Sequence, residues 1–218
     1  MVVNSSIALV FDLDGTLIDS VEGIYQSYRF AIKKLKLSKS KIKSINEFRN
    51  YIGPRFNIMQ NLMHPELDIE SQKRLVSYFR LKYDSYDYLN YKVYEYIKNY
   101  LNYFYNKGIN MFILSNKPIE SINLIIKKEF SGIFKYSWGF DEKKTKSDVL
   151  IELKKNYEKI IFIGDTQNDA IASKEALVDF IFCNYGYGNI DNDSQKILFC
   201  NKPIELKTII DKKIKNYC

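Results

Sequence analysis

Asp12 and Asp14 stand one residue apart at the end of the apolar run Ile7-Ala8-Leu9-Val10-Phe11. Side chains alternate along an extended segment, so both carboxylates can project to the same side, one as a nucleophile and the other as a proton donor. Two further apolar runs end in polar residues. Ile109 to Leu114 runs into Ser115-Asn116-Lys117-Pro118, and Lys159-Ile160-Ile161-Phe162-Ile163 runs into Gly164-Asp165, with Asp169 shortly after. If the three runs are strands of one sheet, its edge gathers Asp12, Asp14, Asp165 and Asp169. Such carboxylates repel one another unless a cation sits among them. Oxygen ligands with room for water and phosphate suit magnesium, so the chemistry indicated is metal-assisted phosphoryl transfer. The same residue types also serve as turn formers and helix caps, Ser115 and Asn116 before Pro118 among them.

The elements around these residues follow from pattern. Short continuous apolar runs ending in polar residues read as buried parallel strands, here at Ile7–Phe11, Ile109–Leu114, Lys159–Ile163 and Asp179–Cys183, with a shorter one at Tyr136–Phe140. Between the first two runs the pattern is helical from about Val21 to Tyr88, with Ile24, Tyr28, Ala31, Ile32 and Leu35 on one face and breaks at Gly53-Pro54 and His64-Pro65. Further helices are expected at Tyr94–Lys107, after Pro118, at about Ser147–Tyr157, at Ala170–Leu177 and from Ile204 to Ile214. Alternating strands and helices imply an α/β fold, a Rossmann-like parallel sheet with helices on both faces that binds ligands at the carboxyl ends of its strands. The expected organisation is a core of residues 1–18 and 89–218 with an inserted helical domain at 19–88.

With these residues in place, the chain resembles the haloacid dehalogenase-like superfamily. Its first motif, DxDGT, stands here as Asp12-Leu13-Asp14-Gly15-Thr16. An apolar strand ending in Ser or Thr, a downstream Lys, and GDxxxD as Gly164-Asp165-Thr166-Gln167-Asn168-Asp169 complete an order that spans nearly the whole chain. The resemblance implies that Asp12 attacks phosphorus to form an aspartyl phosphate and that Asp14 protonates the leaving alcohol and then activates water. It implies that Ser115 holds a phosphoryl oxygen, with Asn116, Gly15 and Thr16 also at the substrate. Magnesium would be held by Asp12, Asp165 and the Asp14 backbone carbonyl, with Asp169 supporting its water shell. An acid at position 14 disfavours carbon–halogen hydrolysis, which has no oxyanion leaving group to protonate.

The family needs a lysine beside the nucleophile. Lys143, Lys144 and Lys146 crowd the expected place without the frequent Lys-Pro-x-Pro pattern, and Lys146 is favoured because Thr145-Lys146-Ser147-Asp148 resembles the helix opening of a phosphoglycolate-phosphatase-like branch. Lys144 is second. The insertion has the position of the family's helical cap, and Tyr51-Ile52-Gly53-Pro54-Arg55 resembles the cap loop of phosphoglycolate phosphatases, which places Arg55 to meet a carboxylate or second anionic group. Gly186-Tyr187-Gly188 resembles the same branch, without a chemical role. The expected activity is hydrolysis of a small phosphomonoester of the phosphoglycolate type. A sugar-phosphate phosphatase or a phosphomutase is the alternative on the same fold.

Composition narrows the remaining classes. The 218 residues are 46% hydrophobic and 27% charged, with nine Gly and four Pro, which excludes a disordered or low-complexity chain. No stretch has the ~18 uninterrupted apolar residues of a membrane-spanning helix. Cys183, Cys200 and Cys218 show no CxxC spacing, and a reducing cytoplasm is expected. The net charge of +7 favours anionic ligands, and with 18 Tyr among the lysines it raises a non-catalytic alternative, a module binding nucleic acid or a protein. The four-carboxylate constellation argues against that alternative, so a small phosphorylated metabolite is the expected partner, with no nucleic acid and no membrane. His64, before Pro65, has no partner spacing and is expected to be a loop residue without catalytic or metal function.

Overall fold

A computed structural model describes residues 6–37, 42, 44–85, 89–141, 143–190 and 197–216. The chain separates into two compact units, Met1–Ile18 with Val93–Cys218, and Asp19–Lys92.

The first unit is built on a parallel sheet. Its strands are β1 (Ile7–Phe11), β4 (Asn110–Leu114), β5 (Tyr136–Trp138), β6 (Lys159–Gly164), β7 (Asp179–Cys183) and β8 (Leu198–Cys200), in the order β5-β4-β1-β6-β7-β8. The shorter strands β2 (Ile18–Asp19) and β3 (Lys92–Val93) pair with each other. β1 is fully buried and central, with Ala8 opposite Asn110 of β4 on one side and Ile160 of β6 on the other. Alternation along the strands divides its apolar residues between two faces. Ala8, Val10, Phe112, Leu114, Phe162 and Phe182 pack in one core with Val149, Leu150 and Leu153 of α7 (Lys146–Leu153) and Ala172 and Ala176 of α8 (Gln167–Ala176). Leu9, Phe11, Ile113, Ile161 and Ile163 alternate with these and are equally buried, so the other face is covered as well. Helices α5 (Ile97–Asn106), α6 (Ile119–Glu129) and α9 (Leu206–Lys215) complete the unit.

Several boundaries differ from those read off the sequence, each for a local reason. α5 begins at Ile97 because Tyr96 takes a left-handed φ of 67° and the Tyr94 N–H donates to Leu17 O at 3.1 Å. α8 begins three residues earlier than its apolar pattern, at Gln167, because Thr166 caps it and Asp169 closes a capping box. β8, unpredicted, is three residues long, too short for periodicity to register. Cys218 lies outside the described residues.

The second unit is helical: α1 (Val21–Lys34), α2 (Ile45–Arg49), α3 (Phe56–Met63) and α4 (Ile69–Tyr83). Its core joins Ile24, Tyr28, Ala31 and Ile32 of α1 to Phe48, Met59, Met63, Leu75 and Phe79 of the others. His64 ends α3 and is buried, with its Nε2 2.9 Å from the Tyr28 hydroxyl and its Nδ1 3.2 Å from Glu66 Oε1. Its use is therefore to satisfy buried polar groups. Among the described residues no helix is long and apolar enough to cross a membrane.

Candidate active site

The strand ends converge as parallel pairing requires. The Asp12 N–H still donates to Ile163 O (2.8 Å) and the Ser115 N–H to Trp138 O (3.0 Å), so both residues extend the ladder one step beyond their strands. Asp165 follows the last residue of β6, and Asp169 lies in the first turn of α8. One carboxylate oxygen from each of Asp12, Asp165 and Asp169 lies within 4.8 Å of the others, and all three residues are buried. Between them and α7 lies Lys146, whose Nζ is 2.9 Å from Asp12 Oδ1 and 2.6 Å from Asp169 Oδ1.

α7 places this lysine. Thr145 caps the helix and Asp148 closes the box, which makes Lys146 the first helical residue and leaves its side chain 11% exposed. Lys144, one residue outside the helix cap, instead pairs with Glu152 at 2.8 Å on the surface, and Lys143 is exposed.

Asp165 is held from two directions. Its Oδ1 accepts from the Thr16 hydroxyl at 3.2 Å and its Oδ2 from the Tyr187 N–H at 2.8 Å, while its backbone carbonyl accepts from the Gly188 N–H at 3.2 Å. Gly15, at φ +80°, and Gly186 leave the space for it: a Cβ on Gly15 would lie 2.0 Å from Asp165 Oδ2, and one on Gly186 2.4 Å from Asp165 Cβ. Thr16 and Gly15, expected at the substrate, thus make these contacts to Asp165. Gly186-Tyr187-Gly188, which had no role in the sequence, forms the other half of the cradle. Gly186→Ala is accordingly expected to displace Asp165, weaken divalent-cation affinity about 10–100-fold and lower the melting temperature; calorimetric titration of the folded variant with magnesium, giving an unchanged affinity, would refute this.

The remaining expected residues are placed as follows. Ser115 is buried and its Oγ accepts from the Lys117 N–H at 3.3 Å, while Asn116 beside it is half-buried. The Asp14 carboxylate stands apart from the buried triad and pairs with Lys117 Nζ at 3.2 Å. Arg55 belongs to the second unit, where it is the N-cap of α3. Sequence reasoning missed Lys117 and the Tyr187 N–H. Lys117 directly follows the strand-end Ser115-Asn116, and that adjacency was the available signal.

Electrostatics fit a bound cation. Burial, together with Asp169 and Asp14 and against the pull of Lys146, pushes the Asp12 carboxyl up to about 7, and burial with Asp12 and Asp169 holds Asp165 well above the usual carboxylate range. Burial works to lower the Lys146 ammonium, but Asp12 and Asp169 outweigh it and hold its pKa above the ordinary lysine value. Asp12, Asp14, Asp165 and Asp169 carry four negative charges when ionised, against two positive charges on Lys117 and Lys146. The shortfall equals one divalent ion, and an all-oxygen donor set matches a hard one, so the buried triad can hold a metal.

Parallel sheet, strand-end carboxylates and buried lysine together define an α/β protein with an acidic site at the carboxyl edge of its sheet. The family model described as haloacid dehalogenase-like hydrolase matches residues 9–183. The chain belongs to that family and is an enzyme resembling phosphoglycolate phosphatases. It is 26% identical over 192 residues to a phosphoglycolate phosphatase of Pseudomonas fluorescens, covering 83% of this chain and 70% of that one. It is likewise 26% identical over 192 residues to a 5'-nucleotidase of Pseudomonas aeruginosa, covering 84% and 85%. In fold it is similar to a haloacid dehalogenase-like family hydrolase from Streptococcus pneumoniae, with a TM-score of 0.81, 23% identity and coverage of 94% and 99%.

Proposed function

We propose that the chain is a magnesium-dependent phosphatase of small phosphomonoesters, phosphoglycolate-like in its substrate, working through an aspartyl phosphate. The observation that carries this reading is the buried Asp12 carboxylate, 2.9 Å from Lys146 Nζ and grouped with Asp165 and Asp169 at the strand ends. Asp12, Asp165, Asp169 and the Asp14 backbone carbonyl would hold the ion, which when bound neutralises charge on the nucleophile and the phosphoryl oxygens.

In the first half-reaction an Asp12 oxygen bonds to phosphorus while the bond to the ester oxygen breaks. The electron pair leaves with that oxygen, which takes the proton of Asp14. In the second half-reaction water gives its proton to Asp14 and attacks the aspartyl phosphate, releasing inorganic phosphate and the Asp12 carboxylate. Ser115 and Asn116 orient the phosphoryl oxygens, and Lys146 offsets charge on Asp12. Positioning and charge neutralisation of this kind make up most of what phosphoryl transfer needs. Arg55 of the helical unit is the residue we assign to a second anionic group on the substrate. A reducing cytoplasmic setting fits Cys183 and Cys200, buried free thiols whose pKa values burial raises, Cys200 to about 12 and Cys183 well above the usual thiol range.

The test is phosphate release from phosphoglycolate, hexose and pentose phosphates, nucleotides and an aryl phosphate, with and without magnesium. Magnesium-dependent release, greatest for phosphoglycolate and with a raised KM for that substrate in Arg55→Ala, is the expected result. Preference for a nucleotide or sugar phosphate would overturn the substrate, and transfer to a second hydroxyl without phosphate release would identify a mutase.

A further inference from the structure

The turn after β4 carries a charged side chain that the mechanism above leaves unused. The Lys117 side chain is only 2% exposed, and its Nζ lies 3.2 Å from Asp14 Oδ2, whose own side chain is 19% exposed. The Lys117 backbone is fixed on both sides. Its N–H donates to Ser115 Oγ at 3.3 Å, and its carbonyl accepts from the Phe140 N–H at 3.0 Å. A Cβ on Gly139 would come 2.9 Å from that carbonyl, so the chain leaving β5 packs closely against it. Pro118 follows and confines the preceding residue to extended backbone. A buried ammonium on so constrained a backbone is an anchored charge, and the less buried carboxylate is the partner that must adjust to it.

The two buried lysines are also allotted to different carboxylates. Lys146 engages Asp12 and Asp169, whereas Lys117 engages Asp14. Asp12 and Asp14, though one residue apart in sequence, are thus each paired with a buried lysine. Holding Asp14 Oδ2 sets the direction of the whole carboxyl group.

We propose that Lys117 is a positioning residue that fixes the Asp14 carboxyl for proton transfer to the leaving-group oxygen, an inference that rests on the phosphatase reading above. Breaking the ester bond sends the electron pair to the leaving oxygen, the proton moves there from Asp14, and in the second half-reaction Asp14 recovers a proton from water. Misplacing Asp14 then has a distinct signature. An alkoxide must be protonated as it departs, whereas a nitrophenolate leaves readily without help.

The experiment compares kcat and KM of the parent chain and of Lys117→Met and Lys117→Arg, with magnesium, on phosphoglycolate and on p-nitrophenyl phosphate. Lys117→Met is expected to lose about 100-fold in kcat on the alkyl ester and no more than about threefold on the aryl ester, with KM little changed, which is the scale of one proton-transfer contribution. Lys117→Arg should recover most of the alkyl rate. Equal losses on both esters, or a change confined to KM, would overturn the inference while the phosphatase reading stands. If Lys117→Met does not fold, the alkyl-to-aryl ratio of Lys117→Arg and Lys117→Gln decides the matter by the same criterion. Failure of the parent chain to hydrolyse either ester would overturn the phosphatase reading and this inference together.

Discussion

Asp12→Asn is expected to abolish turnover, by about 10⁴-fold or more, since Asp12 is the group proposed to form the acyl phosphate. The same substitution should leave the metal-free protein at least as stable as the parent near pH 8. Burial and the neighbouring Asp169 and Asp14 push the Asp12 carboxyl up to about 7 from an ordinary 3.8. Between those values the folded chain holds a proton that the unfolded chain releases, so stability falls as pH rises through this window, and the penalty is complete above pH 7. The neutral amide carries no such penalty. Melts in a chelating buffer at pH 5 and pH 8 should show a downward trend in the parent that is reduced in the variant. Added magnesium should offset the trend in the parent, because a bound cation favours the ionised carboxylate. A variant with more than about a hundredth of parental turnover, or with the parent's full pH trend, contradicts this assignment.

Lys146→Met is expected to have the largest effect on stability. Its ammonium lies 2.9 Å from Asp12 and 2.6 Å from Asp169, and removing it leaves buried carboxylates facing one another without that compensation. Breaking a buried pair from one side typically destabilises by about 3–5 kcal/mol. Lys146 itself stays charged across the neutral range, since its pKa is raised, so the pH dependence comes from the carboxylates. The loss should be greater at pH 8 than at pH 5, where Asp12 and Asp165 can take up protons instead, and magnesium should restore part of it. Lys144→Met, whose partner is the exposed Glu152, is the control, and its melt should match the parent. Urea denaturation of the three proteins at both pH values checks this, and equal midpoints for Lys146→Met and the parent would contradict it. Turnover of Lys146→Met should fall by about 10²–10³-fold, the scale of losing one charge-stabilising donor.

Most of the acidic edge was legible because its information is local. An apolar run of five residues ending in Asp-Leu-Asp-Gly-Thr declares a buried strand and its polar terminus together, and parallel pairing then brings Asp12, Ser115 and Asp165 to one edge. Lys146 was legible for a similar reason, since Thr145 and Asp148 mark where its helix begins. What escaped depends on partners far apart in sequence. The burial of Lys117 against Asp14, and the Gly186-Tyr187-Gly188 turn closing on Asp165, are set by how loops from different strands meet, which no periodicity records. Thr166-Gln167-Asn168-Asp169 did carry a local signal, the capping box that starts α8 early, and apolar spacing concealed it. His64 looked idle because its partner Tyr28 lies on another helix.

The central place of β1 has a consequence for biosynthesis. Its neighbours β4 and β6 are made roughly 100 and 150 residues later, since Ala8 pairs with Asn110 and Ile160. On the ribosome β1 emerges first and must wait, its N–H and C=O groups unpaired, while the helical segment from α1 to α4 closes on neighbours made within the same stretch of chain. The strand that carries Asp12 can therefore be locked on both sides only after Lys159–Gly164 has left the exit tunnel, so a nascent chain halted before that strand would carry Asp12 on a strand still missing one neighbour.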